Sequence, residues 1–113
     1  MANAQSPLTD TQRELLRGRL EDERRRILQV LRAPVDSAPA PDETRELEEL
    51  AQRETDASRQ LDVAARERAL LVEIEHALAK LATGTYGLSE TTGDPIPYER
   101  LRAVPWARQG VDE

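Results

Sequence analysis

The stretch from Thr44 to Thr83 contains neither glycine nor proline, and it sets the architecture that the rest of the chain must accommodate. Thr44 is a suitable N-cap, and acidic residues follow it where the helix dipole favours negative charge. Gly84 follows the stretch directly, and glycine is the usual residue just past a helix C-terminus. Small and apolar residues recur at close to heptad spacing along one face: Leu47, Leu50, Ala51, Ala57, Leu61, Ala64, Leu71, Ile74, Leu78 and Leu81. The sequence therefore predicts one helix of roughly 38 residues, about 57 Å long.

A shorter helix is predicted upstream of this stretch. Thr9 and Gln12 match a capping box, so the helix should begin at about Asp10, and its pattern continues to Arg32. Its apolar face carries four residues at helical spacing: Leu16, Leu20, Ile27 and Leu31. Residues 33–43 hold three prolines, which lack an amide donor, and they must form the loop at the tip.

Two helices joined by such a loop make an antiparallel hairpin. We therefore predict a mainly α fold in which residues 9–83 form a long antiparallel coiled-coil helical hairpin, preceded by a flexible N-terminus at residues 1–8. Because the second helix is longer than the first, its last turns, Leu70 to Leu81, need another apolar partner. A small C-terminal module at residues 84–113 can supply it through six side chains: Tyr86, Leu88, Ile96, Leu101, Val104 and Trp106.

The terminal module shows local signals of its own. Gly93 opens a Gly-Asp-Pro turn, residues 96–98 are at best an edge strand, and residues 98–103 can form one or two helical turns. Trp106 carries much of the aromatic area of the chain, and we expect it to pack back on the second helix. The alternative is that Trp106 is an exposed anchor for a partner.

Composition excludes several functional classes. A net charge of −6 argues against a direct nucleic-acid binder, since such binding depends on Lys and Arg neutralising phosphates. The chain has no cysteine, so it can form no disulfide and perform no thiol catalysis. No apolar run has the length of a signal peptide or a membrane span. We expect a cytoplasmic protein without a membrane partner.

Candidate catalytic residues are few. His76 is the only histidine, and without a second nitrogen or thiol ligand nearby it is expected to be an ordinary surface residue rather than a metal ligand. Ser89 lacks both a base and the glycine elbow of a nucleophilic serine. No glycine-rich phosphate loop occurs. The sequence predicts a protein that is not an enzyme.

An acidic cluster at the predicted tip has two interpretations. It comprises Asp42, Glu43, Glu46, Glu48 and Glu49. The first interpretation is that these carboxylates complete a helix N-terminus and keep the tip soluble. The second is that they present negative charge to a partner at the end of a long rigid rod. Composition alone favours the first.

The segment from Gly84 to Leu101, with its turn, its Ile-Pro pair and an Arg-Leu-x-Ala-x-Pro element, resembles the C-terminal module of the DksA/TraR family, bacterial regulators that bind RNA polymerase. The resemblance also covers the hairpin, including the run Arg66-Glu67-Arg68-Ala69-Leu70-Leu71. Family members carry zinc-binding cysteines at positions that fall here on Ser89, Thr92, Gly110 and Glu113. These positions lack the soft thiolate or imidazole ligands of a zinc site. The resemblance thus implies a degenerate zinc-finger-like module with no zinc, and we expect no other cofactor.

The resemblance also implies a partner. Family members insert the hairpin into the secondary channel of RNA polymerase and place two tip aspartates, in an Asp-x-x-Asp-x-Ala pattern, near the catalytic centre. In an ungapped register that pattern falls on glutamates, each with one more methylene than aspartate. The resemblance assigns polymerase contacts to six residues: Glu46, Glu49, Ala51, Arg66, Leu70 and Arg100.

Family members that respond to the alarmone ppGpp hold its phosphates with basic residues. The same register places these positions on Glu73 and Val104, with another beyond Glu113. Acidic and apolar side chains cannot hold a polyphosphate. We therefore predict a DksA-like transcription regulator that acts as a monomer, independently of ppGpp. The alternative is a helical-hairpin adaptor or dimerisation module that has lost polymerase activity.

Overall fold

The computed structural model describes residues 8–32 and 46–111, and these residues form three helices. Helix α1 spans Asp10–Arg32, α2 spans Glu46–Thr83 and α3 spans Tyr98–Ala103. The predicted mainly α fold is confirmed, and α2 has the predicted length of 38 residues. The short helix predicted before Pro105 is α3.

Several sequence predictions lie outside the described residues. They concern the flexible N-terminus up to residue 7, the tip loop at residues 33–43, the N-cap at Thr44 and the fourth family cysteine position at Glu113. Two members of the predicted acidic cluster, Asp42 and Glu43, lie outside them as well.

The start of α1 has the predicted capping box. The Thr9 amide donates to Gln12 Oε1 at 3.0 Å, and the Gln12 amide donates to Thr9 Oγ1 at 3.0 Å. Each side chain thereby satisfies one backbone donor that a helix N-terminus leaves without an intrahelical partner. The helix begins at Asp10 for this reason.

The end of α2 is set by Gly84. This glycine has a φ of 83°, in the left-handed region that other residues adopt only at a cost. The reversal turns the amides of Thr85 and Tyr86 back onto the carbonyl of Lys80, at 2.9 and 3.2 Å. These bonds satisfy one of the last carbonyls of the helix and direct the chain into the terminal module, residues 84–111.

Two ion pairs show that α1 and α2 run antiparallel. Arg24 lies 3.5 Å from Glu75, and Arg26 lies 3.1 Å from Glu67. In this register the last residue of α1, Arg32, lies opposite about residues 61 to 67 of α2, because both helices rise equally per residue. The prediction that the last turns of α2 extend beyond α1 is therefore wrong. It is the first turns of α2, not the last, that extend beyond the described end of α1.

The core lies where both long helices meet the terminal module. Nine apolar residues form it: Leu8, Leu16, Leu20, Ile27, Ile74, Ala77, Tyr86, Ile96 and Leu101. Leu8 is only 5% exposed, so assigning it to a flexible N-terminus was wrong. A leucine before the capping box has apolar area to bury, and the core offers it a site. As predicted, the terminal module packs against the last turns of α2. Residues of α1 belong to the same core.

The predicted inner stripe of α2 is buried over only part of its length. Ile74 is fully buried, but Leu47 and Leu61 are 83% and 70% exposed. In the register given by the ion pairs, Leu61 lies at the described end of α1 and Leu47 lies well beyond it. Helical periodicity identifies the stripe correctly, whereas burial also depends on how far the partner helix extends.

The terminal module is held mainly by turns. Leu88 and Pro95 form an isolated antiparallel bridge, and the Ile96 amide donates to the Gly87 carbonyl at 2.7 Å. The edge strand suggested for residues 96–98 is not formed in the described structure. Prolines at both sides of Ile96 remove the amides that a strand would need.

None of the described helices is long and apolar enough to cross a membrane.

Candidate functional site

The three predicted tip positions lie in the first two turns of α2. Glu46 and Ala51 are exposed, and Glu49 is partly exposed. A separation of three residues places Glu46 and Glu49 on the same side of the helix. The structure thus presents two neighbouring carboxylates at the start of the described part of α2, with Glu48 beside them.

Arg66 and Leu70 lie one helical turn apart, about 30 Å or more along α2 from Glu46. Arg66 is exposed and forms no ion pair with any described residue. Leu70 is partly buried and packs against the core, so only part of its surface is open to a partner.

Arg100 lies in α3, at the module end of the molecule. Its side chain is partly buried, and its Nε atom is fully enclosed without a hydrogen-bond partner among the described residues. The neighbouring Leu101 packs in the core, and a side-chain hydrogen bond from Arg19 to the Arg102 carbonyl ties α3 to α1. The six residues therefore do not converge on one pocket. They are distributed along the length of the molecule.

The family cysteine position at Ser89 is occupied by a buried hydroxyl. Ser89 Oγ accepts hydrogen bonds from the amides of Thr91 and Thr92, both at 3.2 Å. The Ser89 amide donates to Asp94 at 2.7 Å, and the Gly93 amide donates to Ser89 at 2.9 Å. These bonds close the turn at residues 89–94 by themselves.

Hydrogen bonds also join this turn to the segment that carries the second pair of family cysteine positions. The Glu90 amide donates to the Arg108 carbonyl at 2.8 Å. Gln109 Nε2 donates to Thr91 Oγ1 at 2.7 Å. The described residues include no group of three or more His, Cys, Asp or Glu side chains that could hold a metal ion. The hydroxyls of Ser89 and Thr92 do not fit a zinc site, since zinc binds thiolate, imidazole or carboxylate groups.

A cluster of charged side chains lies between α2 and the terminal module. We call it the charge network; its members are Glu73, His76, Lys80, Glu90 and Arg108. Glu90 Oε2 lies 2.5 Å from His76 Nε2 and 3.2 Å from Lys80 Nζ, and Glu90 Oε1 lies 3.4 Å from Arg108. Arg108 donates two hydrogen bonds to the Glu73 carboxylate, at 2.7 and 2.9 Å.

The electrostatics of Glu90 follow from these contacts. Partial burial would raise the pKa of the Glu90 carboxyl, but the hydrogen bonds and charges of His76 and Lys80 outweigh burial, so that the pKa lies below its ordinary value. Glu90 is therefore held as a carboxylate that can accept from all three of its neighbours.

The network was not predicted from the sequence. Glu73, His76 and Lys80 are three and four residues apart, so helical spacing alone could have placed them on one face of α2. Glu90 and Arg108 lie in irregular segments, which have no period from which a facing direction can be read. His76 was predicted to be an ordinary surface residue; it is partly exposed and hydrogen-bonded to Glu90.

The two positions assigned to ppGpp phosphates carry no positive charge. The Glu73 carboxylate forms an ion pair with Arg108. Val104 follows α3, where its amide donates to the Arg100 carbonyl at 2.9 Å. The basic group paired with Glu73, Arg108, also faces the Glu90 carboxylate.

Trp106 lies beside α1. It is partly buried against the core and, with Pro105, it lines a surface hollow whose other walls are Arg19, Asp22 and Glu23. Trp106 was predicted to pack back on the second helix; Arg19, Asp22 and Glu23, which line this hollow with it, belong to the first. The module reaches α1 as well as α2, which the sequence pattern could not show.

No protein-family model matches the chain. The chain is 33% identical over 106 residues to the RNA polymerase-binding transcription factor DksA of Caulobacter vibrioides, covering 93% of this chain and 75% of that protein. Among solved structures it is similar to transcription factor DksA2 from Pseudomonas aeruginosa, with a TM-score of 0.70 and 29% identity, covering 99% of this chain and 84% of that one.

A shorter stretch is similar to two proteins of Bacillus subtilis. General stress protein 16O is 56% identical over 46 residues, which are 41% of this chain. The uncharacterized protein YteA is 48% identical over 59 residues. The matched stretch spans 28% and 23% of the length of these two relatives, about a quarter of each.

Proposed function

This chain belongs to the DksA/TraR family, and from that membership we propose that it binds RNA polymerase and regulates transcription. We further propose that α1 and α2 form a coiled-coil hairpin that enters the secondary channel of the polymerase with its acidic end first. The terminal module, a degenerate zinc-finger-like unit in this proposal, stays at the outer end and positions the hairpin.

The distance along α2 between its acidic first turn and the core is the observation that carries the proposal. From Ile74, which is fully buried in the core, to Glu46 the helix extends by about 42 Å. The described end carries Glu46, Glu48 and Glu49 in its first turn. A slender rod with carboxylates at its end can reach a recessed site on a large partner, which a compact surface could not.

The spread of the other contact residues supports an insertion rather than a pocket. Glu46 and Leu70 are separated by about 36 Å along the helix axis, and Arg100 lies further on, in the module. Arg66 is exposed between them and is available to a carboxylate of the partner. We propose that these residues contact successive parts of one channel.

We also propose that the protein acts without ppGpp and without zinc. Two of the positions that would face phosphates are Glu73 and Val104, and neither can pair with an anion. Arg108, the basic residue beside them, is already paired with Glu73 and Glu90. The turn at Ser89 is closed by its own hydrogen bonds, so its shape does not require a metal.

Retention on purified RNA polymerase tests the proposal. We expect polymerase to retain the protein, and we expect the double variant Glu46→Ala, Glu49→Ala to be retained while losing any effect on transcription from a responsive promoter. The reason is that the two carboxylates lie at the end of the rod, whereas the other proposed contacts remain. The measurement pairs a pull-down with a transcription assay in purified components.

A matched control removes the same charge nearby. The double variant Glu54→Ala, Asp62→Ala changes two exposed acids further along the same helix and should behave as the unaltered protein in both assays. If polymerase fails to retain the unaltered protein, the proposed function is wrong. If both double variants lose the effect on transcription equally, Glu46 and Glu49 contribute only negative charge and have no specific role.

One observation favours a second candidate function. Leu47, Leu50, Leu61 and Val63 are exposed on α2, and exposed apolar groups of this size favour contact with another protein surface. A helical adaptor or dimerisation module would use them. Sedimentation of the purified chain separates the two candidates, because the proposed regulator is a monomer and a dimerisation module is not.

A further inference from the structure

Two segments of the terminal module lack the cross-link that a metal would provide. The turn at Ser89 and the segment at Gly110 carry residues that do not fit a zinc site, yet the two segments lie side by side. Structural zinc contributes directly to the folding free energy of small modules. Other contacts must therefore hold these segments to each other and to α2.

The apolar core holds only part of the module. Tyr86, Ile96 and Leu101 are buried against the long helices. Residues 90–94 are exposed, and none of them belongs to the core cluster. The apolar contacts therefore leave the turn itself to be held by polar groups.

The charge network supplies these polar groups at that place. Glu90 extends from the turn and faces His76 and Lys80 of α2, at 2.5 and 3.2 Å. Arg108 extends from the second segment and faces Glu73 of α2, at 2.7 Å. Glu90 and Arg108 also face each other at 3.4 Å, and their backbones are joined at 2.8 Å.

The network thus connects three parts of the chain through one cluster, as a polydentate metal ion would. We propose that the charge network takes the place of the metal cross-link and fastens the terminal module to α2, with Glu90 as its central acceptor. Lys80 adds a direct bond to the module backbone, because its Nζ also donates to the Leu88 carbonyl at 3.2 Å. This inference rests on the geometry alone and does not depend on polymerase binding.

Such a fastening has a physical signature that a metal site lacks. The side chains of the network are partly exposed, so the ion pairs are weakened by dissolved salt, whose screening length falls from about 10 Å at 0.1 M to about 3 Å at 1 M. Isolated surface pairs contribute little to stability, whereas a network of several charges can contribute more. The module should therefore loosen in high salt and be insensitive to chelators.

Hydrogen exchange of the full chain tests the proposal. Three module amides serve as reporters, those of Ser89, Gly93 and Ile96, which donate to backbone carbonyls within the module. Glu90→Gln keeps the shape of the side chain and removes its charge, so these amides should exchange faster by about fivefold to tenfold at low salt. Amides in the middle of α1 should change much less, which separates loosening of the module from global unfolding.

Glu14→Gln is the matched control. Glu14 is an exposed acid that faces only Arg17 of its own helix, at 3.6 Å, so this variant has the same charge change without the network. It should leave the three reporter amides unchanged. In the unaltered protein, about 1 M sodium chloride should accelerate the reporters, and in Glu90→Gln the effect of salt should be smaller.

Two results would overturn the proposal. One is that Glu90→Gln and Glu14→Gln exchange alike at the reporter amides. The other is that the unaltered protein binds stoichiometric zinc and that a chelator accelerates the reporters at low salt, because a metal would then hold the module.

Discussion

Tyr86 shows how one side chain of the module is fixed in place. Its ring is buried, and its hydroxyl donates to the Pro105 carbonyl at 2.8 Å. A buried hydroxyl with its partner in place contributes modestly to stability, while an unpaired one is costly. The bond links the start of the module to the segment that leads into Trp106, so that the chain is held just after the end of α3.

Burial raises the pKa of the Tyr86 hydroxyl, and the positive charge of Arg19 lowers it only in part. The neutral form is favoured in the folded chain, so this contribution to stability is complete below the ordinary tyrosine pKa of about 10. It decreases as the pH rises beyond that value, because the unfolded chain then releases the proton first. The protein should lose stability in mild alkali.

Tyr86→Phe should lower the free energy of unfolding by about 1 kcal/mol at neutral pH, through loss of the hydrogen bond and an unpaired Pro105 carbonyl. It should also make stability depend less on pH between about 9 and about 11. Urea unfolding at several pH values measures both effects. Tyr98→Phe is the control, since Tyr98 is only partly buried, and it should keep the alkaline loss of stability. An unchanged pH dependence in Tyr86→Phe would contradict the assignment.

At the scale of the element, two glycines have opposite roles although both have open space around them. A Cβ added at Gly18 or at Gly84 would meet no atom within 4 Å. Gly18 lies inside α1, where glycine is a poor helix former. Gly84 has a positive φ and ends α2, where an alanine would be strained.

Gly18→Ala should therefore stabilise the protein by about 0.5 to 1 kcal/mol. Gly84→Ala should destabilise it by about 1 kcal/mol. Thermal unfolding followed by circular dichroism measures both, and each variant is the control for the other because the chemical change is identical. Shifts of the same sign in the two variants would show that backbone conformation does not decide the effect.

The start of α1 and the end of α2 could be predicted from the sequence. The capping box at Thr9 and the glycine at position 84 fix the start of α1 and the end of α2, because both signals act within one helical turn. Leu8 was assigned wrongly because its burial depends on distant residues rather than on local chemistry. The same holds for Leu61, which fits the apolar stripe but lies at the described end of the partner helix and is 70% exposed.

For the whole molecule, a single core joins the long helices to the terminal module. Ile74 is fully buried there, in a cluster to which α1, α2 and the module all contribute. Removing its side chain should weaken all three at once. The helices and the module should therefore unfold together, as a single cooperative unit.

Ile74→Ala should lower the free energy of unfolding by about 2 to 5 kcal/mol. Circular dichroism follows the helices and the emission of Trp106, the only tryptophan, follows the module. The two transitions should coincide in the unaltered protein. Leu61→Ala, at an exposed site of the same helix, should change the stability by less than about 0.5 kcal/mol. Separate transitions for helices and module would contradict a shared core.

Six candidate contact residues were assigned by resemblance, and the structure places them along one elongated molecule. Glu46, Glu49 and Ala51 could be located in advance because they follow a helix start, and Arg66 and Leu70 because helical spacing relates them. Arg100 is different. Its enclosed Nε atom results from the packing of α3, which no local pattern in the sequence predicts.

The sequence by itself determined the helices, the start of α1, the end of α2 and the absence of thiolate ligands, because these depend on residue type and on neighbours within a turn or two. Only the tertiary structure decided that Glu90 meets His76, Lys80 and Arg108, and that the last turns of α2 lie beside α1. The physical reason is that ion pairs between distant segments, and the register between helices, depend on how whole elements pack. Periodicity gives the face of a helix, but it does not give the position of the partner along it.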